Sequence, residues 1–124
     1  MSIAERRTEL ATALTEALAA HDITVDPYQA PSPAPFAGWL QVGQTDTEGC
    51  PFAGWVRLSV EMQVLVAVDR GDFERIQDQL TVPLIDAIHA AGGNSVVVQP
   101  YREVVDSTTL YALSAKFYTE SGVA

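Results

Sequence analysis

A chain of 124 residues that is 48% hydrophobic and 19% charged has the length of one domain and the composition of a folded one. Its net charge of −9 leaves only seven Lys and Arg, scattered apart from Arg6-Arg7, which argues against a duplex-binding protein, although a repulsive wall still lets a polyanion slide past without sticking. Cys50 is the single cysteine, so an intrachain disulfide and a thiolate metal cluster are both excluded and a reducing setting is expected, while no apolar run reaches the roughly 18 residues of a membrane span.

At the start, Glu9, Thr12, Thr15 and Glu16 interrupt any signal-peptide core, so the expectation is a soluble, untargeted chain. Ser2 and Glu5 have capping-box spacing. Ile3, Leu10, Leu14, Ala17 and Leu18 then share one helical stripe, which predicts a first helix over about 3–20, closed by His21-Asp22. Ile23-Thr24-Val25 reads as a short strand. Residues 26–38 hold Pro27, Pro31, Pro33 and Pro35; proline fixes φ and lacks an amide donor. This segment is predicted to be a stiff arm on its own subunit or a neighbour.

Trp39 to Thr45 forms a second strand, followed by a turn-rich connection from Asp46 to Gly54. Pro35-Phe36-Ala37-Gly38-Trp39 recurs as Pro51-Phe52-Ala53-Gly54-Trp55. So short a copy reads as two strand starts with similar needs, or as a paired aromatic contact surface. From Trp55 to Val68 the chain alternates: Val56, Leu58, Val60, Met62, Val64, Val66 and Val68 point one way. Trp55, Arg57, Ser59, Glu61 and Gln63 point the other. At about 3.3 Å per residue this strand spans roughly 45 Å, which predicts an overhang beyond its own core.

Asp69-Arg70-Gly71-Asp72 makes the next turn, with Asp72 as the expected N-cap of a second helix. Phe73, Ile76, Leu80, Leu84 and Ile88 carry its stripe to Gly92-Gly93. Pro83 is expected to kink that helix or split it, with Thr81 capping the second piece. Ser95–Val105 and Thr109–Thr119 form a closing hairpin around Asp106-Ser107, with Tyr111, Leu113, Ala115 and Phe117 on one face. The order α-β-β-β-α-β-β predicts one α+β domain over residues 1–124. Its sheet is mainly antiparallel and four- to five-stranded, with both helices on one face.

Reactive constellations are scarce. His21 and His89 both sit at helix C-termini, where a cation is favoured. Cys50, between Gly49 and Pro51, has no positive neighbour in sequence to lower its pKa. Metal-ligand spacing and calcium loops are missing, and Gly92-Gly93 precedes a strand, the wrong order for a phosphate cradle. Arg70-Gly71-Asp72 matches an adhesion tripeptide but is explained by its turn. Glu103 and Asp106 flank a turn as solvated acids. The expectation is a chain without catalytic, cofactor-binding or metal residues, and not an enzyme. Phe36, Trp39, Phe52 and Trp55 gather at two strand starts, either as a core margin or as a subunit or partner interface, where large aromatics are over-represented.

Taken together, several features resemble the tail terminator proteins of long-tailed (siphovirus-type) bacteriophages. They are the amphipathic N-terminal helix, the brief strand with its proline stretch, the two-strand unit with a long second strand, the acid-opened helix, and the terminal hairpin ending Leu-Tyr-Ala-Leu-Ser-Ala-Lys-Phe-Tyr. The likeness covers nearly the whole chain as a layout, without a signature motif. It implies a virion structural protein of the tail and neck, assembled in the host cytoplasm, whose ring of usually six subunits caps the tail tube. The implied partners are copies of itself, the major tail tube protein and the head-closure protein, with DNA passing through unbound and no membrane involved. Charge fits such a channel, and Asp46 and Glu48 are the expected loop facing the lumen or the tube.

Other readings are a different neck component, such as a head-closure or tail-completion protein, and a small-ligand-binding α+β domain. The ligand domain needs a convergent polar group on the covered sheet face. A proline-arm bait is a further possibility, weakly supported by the PxP spacing of Pro31, Pro33 and Pro35.

Overall fold

The computed structural model describes residues 2–29, 36–50, 52–67, 70–105 and 107–122. Pro31, Pro33, Pro35, Pro51, Val68, Asp69 and Asp106, each used in the sequence reading, lie outside the described residues. Helix α1 (Ile3–Ala17) opens on the expected capping box: the Glu5 amide donates to Ser2 Oγ at 3.1 Å and the Ser2 amide donates to Glu5 Oε1 at 3.4 Å. Two otherwise unsatisfied donors of the first turn are thereby bonded. Leu10, Ala11, Leu14 and Leu18 are the buried residues. Ala11 takes the place expected of Ala17, which is exposed between the buried Leu14 and Leu18. A single 3-10 turn (Ala19–His21) follows, and Asp22 at φ 57 turns the chain out of it.

Strand β1 (Thr24–Asp26) lies parallel to β2 (Ala37–Asp46), which is antiparallel to β3 (Trp55–Ala67). Helix α2 (Arg70–Ala90) carries the chain past β3, and the hairpin of β4 (Asn94–Val105) and β5 (Thr108–Gly122) completes the sheet in the order β1-β2-β3-β5-β4. The class is α+β, as expected, with a mixed sheet of five strands and two helices. The parallel pair departs from the mainly antiparallel expectation. A three-residue strand alternates identically in either direction, so its orientation leaves no trace in the pattern. In that pair Asp26 lies opposite Trp39, and the Thr24 amide donates to the Phe36 carbonyl at 3.2 Å.

Leu58, Val60, Met62 and Val64 of β3 are at most 1% exposed. They form one core with Leu113, Ala115 and Phe117 of β5, Leu10 and Leu14 of α1, and Leu84 and Ile88 of α2. Burying each such side chain contributes about 1.5–3 kcal/mol. Both helices therefore cover the same sheet face. The other face carries Arg57, Ser59, Glu61 and Gln63 of β3 beside their register partners Glu120, Tyr118, Lys116 and Ser114 of β5.

The expected overhang of the long strand is corrected. From Trp55↔Gly122 to Ala67↔Tyr111, β5 pairs along β3, and β2 pairs with it from Arg57 to Val64. Period-two alternation reports length and faces but says nothing of the edges, and here the fifteen-residue β5 matches β3. The long unpaired edge is that of β4. At the opposite border β1 is closed off, since Thr15 Oγ1 donates to the Val25 carbonyl at 3.1 Å and accepts from the Val25 amide at 2.9 Å, a shielding of the kind edge strands require.

Helix α2 departs from its prediction at two points. It begins at Arg70, which puts Asp72 inside the first turn rather than at the N-cap, still a favourable place for an acid. It also continues through Pro83 as one helix, so of the two outcomes expected there the split does not occur. The bond that Pro83 cannot make would go to Gln79, whose exposed position lets water satisfy the carbonyl. Thr81 Oγ1 donates to the Gln77 carbonyl at 2.7 Å instead of capping a second piece. The Gly92-Gly93 ending holds: the Gly93 amide donates to Ile88 O at 2.9 Å and the Gly92 amide to His89 O at 3.1 Å, with Gly92 at φ 91. This is a Schellman closure, and its left-handed position favours glycine.

Candidate interaction surface

Antiparallel pairing of β2 with β3 puts the starts of the two strands at opposite ends of the sheet. Trp39 faces Gln63, whereas Trp55 faces Gly122. The four aromatics of the repeated pentapeptide are therefore not gathered. Phe36, at φ 62, is half-buried against the core, and Trp39 is 8% exposed. Phe52 and Trp55 are 73% and 47% exposed, and these two form a corner patch where the β2–β3 connection enters β3. The Trp55 ring rests on Gly122, where an added Cβ would meet it at 3.6 Å.

Beside that patch lies the charged cluster of the connection. Asp46 and Arg57 are cross-strand partners, and the guanidinium donates to both carboxylate oxygens, Nε to Oδ1 at 3.0 Å and an Nη to Oδ2 at 2.9 Å. The same Nη donates to Glu48 Oε2 at 3.1 Å. The Glu48 amide donates to Asp46 Oδ1 at 3.0 Å, which folds the loop back on its own side chain. The guanidinium also stands over the Tyr118 ring, 4.3 Å from its centre. The side-chain bonds from Arg57 are the main reason the Asp46 carboxyl is held below its ordinary range. Of the two acids expected to face a channel, Asp46 is thus committed to Arg57 within its own subunit, while the Glu48 side chain is 78% exposed.

A second polar cluster occupies the centre of the open sheet face. Ser114, 1% exposed, donates to Glu61 Oε1 at 2.8 Å, and Gln63 Nε2 donates to the same oxygen at 3.0 Å. Those bonds, Gln63 first, hold Glu61 below its ordinary carboxyl range, with the nearby Lys116 charge adding to the effect. Gln41, Ser59, Glu61 and Lys116 line a shallow groove of about 360 Å³ there. The sequence showed Glu61 and Lys116 on polar faces of their strands, but only the register sets them opposite one another.

Near the end of β5, Arg6 ties α1 to the sheet. It pairs with Glu9 and donates to Thr119 Oγ1 at 2.7 Å and to the Ala91 carbonyl at 3.2 Å. Arg6, Glu9, Trp55 and Glu120 line a groove of about 450 Å³.

The groups weighed for chemistry are dispersed. His21 and His89 are exposed at two separate helix ends. Burial pushes the Cys50 thiol up, and the charges of Glu120 and Asp46 push the same way, the reverse of an activated thiolate. Among the described residues no cluster of three His, Cys, Asp or Glu could hold a metal ion, and no helix is long and apolar enough to cross a membrane. Compared with known proteins, the chain matches no family model and no curated protein.

Proposed function

We propose that this chain is a structural protein of a phage tail, a tail-terminator-like subunit whose ring caps the tail tube and meets the head-closure complex. The observation that carries this reading is the pair Phe52 and Trp55, exposed at the corner of the sheet face that neither helix covers, a surface that protein contact would cover. The charge of −9 per copy supports a wall along which DNA moves without adhering. Glu48, paired with Arg57 but with its side chain 78% exposed, is the acid that faces a lumen or a tube in this reading.

Light scattering coupled to size exclusion tests it, on the chain alone and mixed with the major tail tube protein of the same particle. A hexamer in either setting is expected, and a monomer in both sinks the reading. A small-ligand domain is favoured by one observation, the groove lined by Gln41, Ser59, Glu61 and Lys116. A clear thermal-shift response to a panel of small metabolites, abolished by Glu61→Gln, would establish it instead.

A further inference from the structure

Among the described residues, the two ends of the sheet carry opposite charges that make no ion pair. At one end Glu120 is exposed and has no ion-pair partner among the described residues. Trp55 lies against the neighbouring Gly122, and both Trp55 and Glu120 line the groove closed by Arg6 and Glu9. Since Arg6 and Glu9 pair with each other, Glu120 is the uncompensated charge of that groove.

At the other end, on the open edge strand β4, Arg102 is exposed opposite Tyr111, and the preceding Tyr101, 41% exposed, faces the other side of the sheet. Arg6, Arg57 and Arg75 are engaged with Glu9, with Asp46 and Glu48, and with Asp72. Arg7 lies over Tyr28, and Lys116 faces Glu61. Among the described residues Arg102 makes no ion pair; it lines a groove with Phe73, Glu74 and Tyr111.

One copy cannot join these two patches by itself. Arg102 is opposite Tyr111, and from Tyr111 to Glu120 along β5 is nine residues, roughly 30 Å. A second copy can. Twice within its own fold this chain places a guanidinium over an aromatic ring, at 4.4 Å on Tyr28 and 4.3 Å on Tyr118, and the Trp55–Glu120 groove offers a ring and a carboxylate together. We propose that copies join head to tail, with Arg102 of one seated in the groove between Trp55 and Glu120 of the next. Unlike patches at opposite ends make a heterologous contact, which closes into a ring when its rotation allows. The inference rests on the ring-forming reading and names the contact that would build the ring.

Charge reversal tests it by light scattering, with circular dichroism and melting confirming that each variant is folded. Arg102→Glu and Glu120→Arg, each alone, are expected to weaken assembly at least tenfold, and the double reversal to restore the wild-type mass. If the wild type assembles and neither reversal alters it, or the double variant stays dissociated, this contact is overturned while the ring reading stands. A wild type that remains a monomer alone and with tube protein overturns both.

Discussion

Arg6 joins three parts of the chain that are distant in sequence: its own helix, the end of α2 through the Ala91 carbonyl, and β5 through Thr119. Its Nε is covered and has no partner, so the side chain gives up one hydrogen bond to make the others. Arg6→Ala is expected to lower unfolding stability by about 1.5–3 kcal/mol, the usual worth of hydrogen bonds from a charged donor. A urea-unfolding series that shows no change would disprove this. Glu61 gives a pH prediction with a definite sign. Its carboxyl is depressed below the ordinary 4.5 by bonds that exist only in the folded chain. The stability it contributes is therefore present above pH 4.5 and is lost as pH falls below that value through the folded pKa. Glu61→Gln should flatten the fall in unfolding midpoint as pH drops below 4.5. Equal slopes in variant and wild type would refute it.

Among the elements, α2 offers the sharpest contrasts. Gly93 is packed so tightly that an added Cβ would lie 2.4 Å from Ile88 Cγ2 and 2.8 Å from Phe117 Cδ2. Gly93→Ala is therefore expected to cost about 1–3 kcal/mol through overpacking. Gly43→Ala meets nothing closer than 3.8 Å and should shift the melting temperature far less. The comparison fails if the two variants melt alike. Pro83 removes a hydrogen bond from the interior of α2, an interior penalty of about 3 kcal/mol. Replacing it also frees the unfolded chain, which offsets about 1 kcal/mol. Pro83→Ala should thus stabilise the protein by about 1–2 kcal/mol, read as a higher melting temperature; a lower one would show that the ring itself packs usefully.

At the scale of the whole molecule, the two helices shelter one sheet face, and among the described residues no element covers the other, with the β4 edge unpaired at one border. The exposed rings sit at a corner of the open face, where they do little for the isolated fold. Phe52→Ser, at a side chain 73% exposed, should leave unfolding stability within about 0.5 kcal/mol of wild type. If the corner is an interface, the same change lowers the mass measured by light scattering. Unchanged assembly would remove Phe52 from the contact.

Local patterns in the sequence determined the elements. The capping box at Ser2 and Glu5, the alternation of β3 as far as Val64, the stripe of α2, the glycine ending and the pairing of the last two strands each depend on neighbours within a few residues, and each is present as read. The polar alternate face of β3 was legible for the same reason. Tertiary structure decided what pairs with what. Trp39 and Trp55 look equivalent inside their repeated pentapeptide, yet antiparallel pairing sends one to the buried end of β2 and leaves the other exposed. Asp46 reads as a loop acid until Arg57, eleven residues on, closes on it. The long strand looks too long for its chain until β5 lies along it. Register, strand direction and sheet order arise from contacts between distant segments, and a one-dimensional pattern holds no record of which segment will be adjacent.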